Sequence, residues 1–202
     1  TAMETDRLRP EDLSPTTPQG PLPPALPAVI DKYRLLRPLG WGGMGAVYEA
    51  EDAALGRRVA LKLIPHDNAP GAPARQVPRE ARLASQVQHP HVVTLYESGT
   101  YPGGVYLVLE HIEGGTLAAR VAQQPQQARP TATLIERLAR TLDYIHQRGI
   151  VHCNLKPRKV LLAAVPDAEA PSRAESSGCE EVYGIPLVSG FELALDQQRL
   201  AE

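Results

Sequence analysis

From Tyr33 onward, apolar residues in the first half of the chain come in short runs separated by glycine and proline, the pattern of strands and turns. Tyr33-Arg34-Leu35-Leu36 leads into the cluster Gly40-Trp41-Gly42-Gly43-Met44-Gly45, and Ala46-Val47-Tyr48-Glu49-Ala50 follows it. A turn at Gly56 separates these from Arg58-Val59-Ala60-Leu61-Lys62-Leu63-Ile64. Two more strands are predicted at His91 to Tyr96 and at Val105 to Leu109, divided by Pro102-Gly103-Gly104. The last is nearly all apolar, as expected of a strand buried on both faces. Between the third and fourth strands the period changes. Val77, Ala81, Ala84 and Val87 recur at helical spacing, with Pro78 in a first turn where its missing N–H costs little.

The second half is mainly helical. A Gly114-Gly115 break precedes a short helix starting near Thr116, and a longer one is predicted from Thr133 to Arg148. Thr133 and Glu136 have capping-box spacing, Leu134, Leu138, Leu142 and Ile145 form one stripe, and Gly149 suits the C-terminal cap. Short strands are predicted at Ile150-Val151, Val160-Leu161-Leu162 and Leu187-Val188. Residues 166–181 are polar and read as an inserted loop. Residues 1–30 show neither period. Seven prolines between Pro10 and Pro27 favour extended, solvated backbone, so this stretch is expected to be a disordered tail or linker.

Composition narrows the function classes. A net charge of -2 and 4% aromatics argue against a nucleic-acid binder, which needs a basic face and stacking platforms. Two cysteines, Cys153 and Cys179, exclude a disulfide framework and a cysteine-rich zinc site. No apolar run approaches the ~20 residues of a membrane helix, and the N-terminal stretch has no signal-peptide core, so a cytoplasmic location is expected.

A glycine loop that runs into a helix is the dinucleotide-fold arrangement. Here the loop runs into Ala46-Val47-Tyr48, a strand, and a lysine-bearing strand follows. That order makes a hairpin lid whose backbone amides can approach phosphate oxygens without side-chain clash. With these motifs in view, the sequence resembles the bacterial Hanks-type serine/threonine protein kinase family. Gly40 to Tyr48 matches its glycine-rich loop and Val59-Ala60-Leu61-Lys62 its lysine strand. His89-Pro90-His91-Val92-Val93 and Tyr106 to Gly115 match the stretches leading to and through its hinge.

The resemblance implies an α+β, protein-kinase-like fold. It would comprise a five-stranded antiparallel small lobe with the family's αC helix, plus the first, mainly helical part of the large lobe. The small lobe would span 31–110, the hinge 110–115 and the partial large lobe 116–202. It implies ATP as ligand. Leu39, Gly40, Gly42, Gly43 and Gly45 would form the phosphate lid, and Lys62, paired with Glu80, would hold the α and β phosphates. Val47, Ala60 and Leu161 would sandwich the adenine, with Leu109 as gatekeeper and the backbones of Glu110 and Ile112 at its edge. Lys156 matches the family's phosphate-side lysine.

The same alignment marks departures. His152-Cys153-Asn154-Leu155-Lys156-Pro157-Arg158-Lys159 falls on a catalytic loop of pattern H-R-D-L-x-x-x-x-N. Asn154 replaces the catalytic aspartate, and an amide does not accept a hydroxyl proton at neutral pH. Cys153 replaces an arginine. Lys159 replaces the metal-binding asparagine, and an ammonium has no lone pair for Mg²⁺. Ser189-Gly190-Phe191-Glu192 falls on the D-F-G motif, with Gly190 at the metal-binding aspartate and Glu192 the nearest carboxylate. Mg²⁺ therefore lacks its usual ligands, and Lys159 is expected to supply part of the missing positive charge. Aligned on the family, the sequence stops before the activation segment, eight residues after Ala194. The stripe of Leu134, Leu138 and Leu142 is then expected to be exposed, or covered by a protein partner or by the rest of the large lobe. Three readings follow. They are a pseudokinase that binds ATP and regulates or scaffolds, an active serine/threonine kinase using Glu192 in an altered metal site, and an interaction module or relic without nucleotide.

Overall fold

The computed structural model describes residues 28–42, 45–65, 79–122, 124–165, 179–191 and 194–196. The remaining residues, including most of the expected tail and insert, lie outside the described set. Strands β1 (Val29–Ile30), β2 (Tyr33–Gly42), β3 (Gly45–Asp52) and β4 (Arg57–Pro65) are followed by helix α1 (Arg79–Ala84). Strands β5 (Leu95–Tyr101) and β6 (Gly104–Glu110) complete one sheet. Helices α2 (Leu117–Val121) and α3 (Ala128–His146) come next. After them come β7 (Ile150–Val151), a 3-10 turn (Pro157–Lys159), β8 (Val160–Ala163), α4 (Cys179–Tyr183), β9 (Ile185–Val188) and β10 (Leu195–Asp196).

The sheet is antiparallel, in the order β1-β2-β3-β4-β6-β5. Five strands were expected. The sixth is β1, which lies inside the stretch read as linker, with Ile30 buried beside Tyr33. Strand β4 is buried on both faces. Val59, Leu61 and Leu63 join Tyr33, Tyr106 and Val108 in one cluster. Ile64, on the other face, packs with Ala81 of α1, Val105 and Leu107. The sheet curls so that its ends meet. Lys32 Nζ lies 3.1 Å from Glu97 Oε2, and the Tyr106 hydroxyl donates to Asp31 Oδ2 at 2.7 Å. At the β3–β4 turn Asp52 is fully buried, and its Oδ1 accepts from the N–H groups of Ala54 (3.1 Å) and Leu55 (3.2 Å). A carboxylate in that position satisfies turn amides that have no strand partner.

Three boundaries differ from expectation. The fourth strand was expected at His91 to Tyr96, but β5 begins at Leu95. Val92 and Val93 bond β9 instead, with a parallel bridge at Val188 and a Val93 N–H donated to Val188 O at 2.9 Å. Helix α3 starts at Ala128, not Thr133, because Pro130 sits in the first turn, where it is tolerated. Thr133 is inside the helix, its hydroxyl donating to Arg129 O, so no capping box forms there. Val87 lies beyond α1, which ends at Ala84, while Val77 and Pro78 lie outside the described residues.

The end of the polar insert is the largest departure. Residues 179–183 form α4, which packs on α3. Cys179 and Tyr183 are buried with Leu134, Leu138 and Ile145, so the expected exposed stripe is covered by this chain itself. Arg137 Nη1 lies 2.6 Å from Glu180 Oε1, and Arg120 donates from Nε and Nη2 to Val182 O (3.0 and 2.6 Å). Burial also pushes the Cys179 thiol above its usual range, which keeps it protonated and unreactive. No helix among the described residues is long and apolar enough to cross a membrane.

Candidate functional site

The curled sheet and the helical part meet at a cleft of about 570 Å³. Its roof comes from β2, β3 and β4. Leu39, Gly40, Gly42 and Gly45 line it from the glycine hairpin, whereas Gly43 lies outside the described residues. Gly45 has φ +116°, and a Cβ there would lie 2.0 Å from the Leu63 carbonyl oxygen. Only glycine lets β3 start this close to β4. Val47 and Ala60 follow on the same face, because β3 and β4 pair in a register that sets Val47 opposite Lys62. Lys62 lines the cleft from β4 and is 5% exposed. Glu80 falls in α1, and its side chain lies outside the described residues.

The back wall is the segment leaving β6. Leu109, Glu110 and Ile112 all line the cleft, and Leu161 of β8 faces them from below. Apolar walls with backbone polar groups at one edge suit a flat heterocycle. The segment is fixed from both sides. Glu110 N–H donates to Thr94 O (2.9 Å), and Glu110 Oε2 accepts from Thr94 N–H (3.2 Å). Leu162 N–H donates to Gly115 O at 3.0 Å, and a Cβ on Gly114 would lie 2.0 Å from Leu162 O. His111 also lines the cleft and lies 3.9 Å from Glu49, which meets Arg37 (2.6 Å) and Arg58 (3.1 Å).

The floor is the loop between β7 and β8. Asn154, Lys156, Arg158 and Lys159 line the cleft from it, with Gly190 beside them after β9. His152 is the anchor of this loop. It is buried against Phe191, with ring centroids 5.1 Å apart. The N–H of Asn154 donates to His152 Nδ1 (3.3 Å), which leaves Nε2 to donate to Ser189 O (3.0 Å). One turn away, the N–H and hydroxyl of Ser189 both donate to Lys159 O, at 2.8 and 3.1 Å. These bonds hold Lys159 next to Gly190, although 31 positions separate them. Cys153 has φ +59°, an unusual backbone for a non-glycine residue, and is exposed. Glu192 lies outside the described residues.

The chemistry of this arrangement is lopsided. Its apolar slot and glycine hairpin fit a nucleotide. At its inner end the described residues lining it bring no carboxylate for a divalent metal. Among the described residues no group of three His, Cys, Asp or Glu is placed to hold one. Glu110, the one acid lining the cleft among those residues, sits at the hinge end. Mg²⁺ takes an octahedron of oxygens, normally with one or two carboxylates. Sequence reasoning missed Trp41, Val93, His111, Gly115, Thr116, Arg158 and Ser189 as lining residues. Arg158 carried a signal, being adjacent to Lys159 in the loop. Val93 had none, because it read as part of a strand.

Comparison with known proteins agrees with this geometry. The family model described as the protein kinase domain matches residues 33–168. The chain is 42% identical over 137 residues to the serine/threonine-protein kinase pkn2 of Myxococcus xanthus, covering 67% of this chain and 16% of that protein. It is 36% identical over 136 residues to the serine/threonine-protein kinase PrkC of Bacillus subtilis, covering 66% and 21%. For the serine/threonine-protein kinase PknE of Mycobacterium tuberculosis the identity is 41% over 134 residues, covering 65% and 24%. The match thus spans between about a sixth and a quarter of the length of these relatives.

Proposed function

The chain belongs to the protein kinase domain family, and on that premise we propose that it is a pseudokinase module of bacterial signalling, cytoplasmic, which binds ATP and regulates or scaffolds. One observation carries the reading. One cleft is lined by Gly40, Gly42, Gly45, Val47, Ala60, Lys62 and Leu161, and also by Asn154, Lys159 and Gly190, which align on the family's base and metal-ligand positions. Each retained part has a binding role. Val47, Ala60 and Leu161 would enclose the heterocycle, the 110–112 backbone would meet its polar edge, and the Gly40–Gly45 hairpin would cover the phosphates. Lys62 would meet the α and β phosphates from the roof.

The missing parts are those that act on the reacting atoms. Asn154 would sit where a substrate hydroxyl is to be deprotonated, and its amide orients a hydroxyl without taking its proton. The remaining functions open to such a module are conformational. Ligand in the cleft contacts both roof and floor, so it can fix the angle between sheet and helices and with it the surface offered to a protein partner.

The cleft reading is tested by calorimetric titration with ATP. Lys62→Ala removes a charge-assisted contact worth about 1.5–3 kcal/mol, so affinity is expected to fall about 10- to 100-fold. Lys62→Met, which keeps the aliphatic stem, should show the same loss. Unchanged affinity in both variants would place the nucleotide elsewhere.

A further inference from the structure

Among the described residues, the charged side chains lining the phosphate end of the cleft are cationic, where those of a metal-dependent site are anionic. Lys62 lines it from the roof, and Lys156, Arg158 and Lys159 line it from the floor. The three floor residues fall within four positions, at the one 3-10 turn, Pro157–Lys159, between loop and β8. Lys159 is not a mobile surface lysine at its backbone. Its carbonyl receives both bonds from Ser189, which pins the residue beside Gly190. The two positions that would each bring a metal ligand are thus adjacent, and between them they offer one ammonium and no oxygen side chain. Glu110, the acid lining the cleft among the described residues, is at the far end with its carboxylate accepting from Thr94.

The charge balance decides the form of the ligand. A divalent cation here would face like charge, and among the described residues no carboxylate lines this end of the cleft to bind it. A polyphosphate faces opposite charge from roof and floor. At an effective dielectric near 20, one unit charge a few ångström away changes an affinity by about tenfold or more. We propose that this cleft takes its nucleotide as the metal-free polyphosphate anion, with Lys159, Arg158 and Lys156 supplying the positive charge that Mg²⁺ would otherwise bring. This rests on the nucleotide-binding reading above and specifies its ligand: a free nucleoside di- or triphosphate, bound more tightly as its charge rises.

The test is a fluorescence titration of the whole chain with mant-ATP, once in EDTA and once in saturating MgCl₂. Affinity in EDTA is expected to equal or exceed that in Mg²⁺. Lys159→Met, which retains the stem and removes the charge, is expected to weaken the EDTA arm about tenfold. Lys159→Gln serves as the second variant, and far-ultraviolet circular dichroism checks that each is folded. Binding that requires Mg²⁺, or an EDTA arm that neither variant changes, overturns the inference and leaves the nucleotide reading intact. No binding in either arm overturns the nucleotide reading itself, and the inference with it.

Discussion

Given ATP, Mg²⁺ and a protein substrate, the chain is expected to transfer phosphate at least about 10⁴-fold more slowly than a kinase with a complete catalytic loop. Two losses combine. Removing a general base costs about 10² to 10⁴ in rate, and in the proposed reading Asn154 takes that position. Removing the metal that neutralises developing charge costs several kcal/mol more, at tenfold per 1.36 kcal/mol. The losses occur at separate groups, so Asn154→Asp alone is expected to leave transfer near background. Any recovery should require Lys159→Asn and Gly190→Asp as well, which rebuild the two adjacent metal positions together. Incorporation of labelled phosphate measures this. Robust transfer by the unaltered chain, abolished in Lys62→Ala, would show that the cleft reacts by another route.

Tyr183→Ala is expected to destabilise the fold by about 3–5 kcal/mol, the range for truncating a buried aromatic. The ring is 3% exposed and sits in the core with Leu134, Leu138 and Ile145. Its hydroxyl lies 2.9 Å from Thr131 Oγ1 and donates to Gln126 Oε1 at 3.0 Å. For a chain of this length, each kcal/mol lowers the melting temperature by roughly 2–4 °C, so a drop of about 10 °C is expected. Tyr183→Phe keeps the packing and loses the hydroxyl bonds, so it should cost only about 1 kcal/mol. Urea denaturation distinguishes the two. If Tyr183→Ala cost less than 1 kcal/mol, α4 would not be the cover of the α3 stripe.

The strands that form the roof were legible because their pattern is local. The apolar run of β4 and the glycine cluster before β3 each declare themselves within ten residues. The cleft residues were legible for a different reason. Their spacing along the chain matches a known family, and the structure brings Leu39, Val47, Ala60, Lys62, Leu109, Leu161 and Lys159 to one cleft. What stayed hidden depends on partners far away in sequence. Helix α4 is five residues long, too short to be stable or periodic alone, and exists because Cys179 and Tyr183 bury against α3. Val92 and Val93 looked like strand residues and are bonded as such, but to β9, nearly a hundred positions on. The start of α3 was obscured by Pro130, which reads as a breaker until it is placed in a first turn. Edge strand β1 has two residues, and Ile30 and Tyr33 hold it by burial.

The central proposal is that the cleft binds nucleotide without the groups that would react with it. A thermal unfolding titration with ATP in EDTA tests this most directly. At 100 times the dissociation constant a ligand stabilises the folded state by about 2.7 kcal/mol, which corresponds to a rise of about 5–10 °C here. The predicted result is a saturable rise of that size in the unaltered chain and a much smaller one in Lys62→Ala. A cooperative melt that ATP does not move, with or without Mg²⁺, would contradict the account and leave a kinase-fold interaction module without nucleotide.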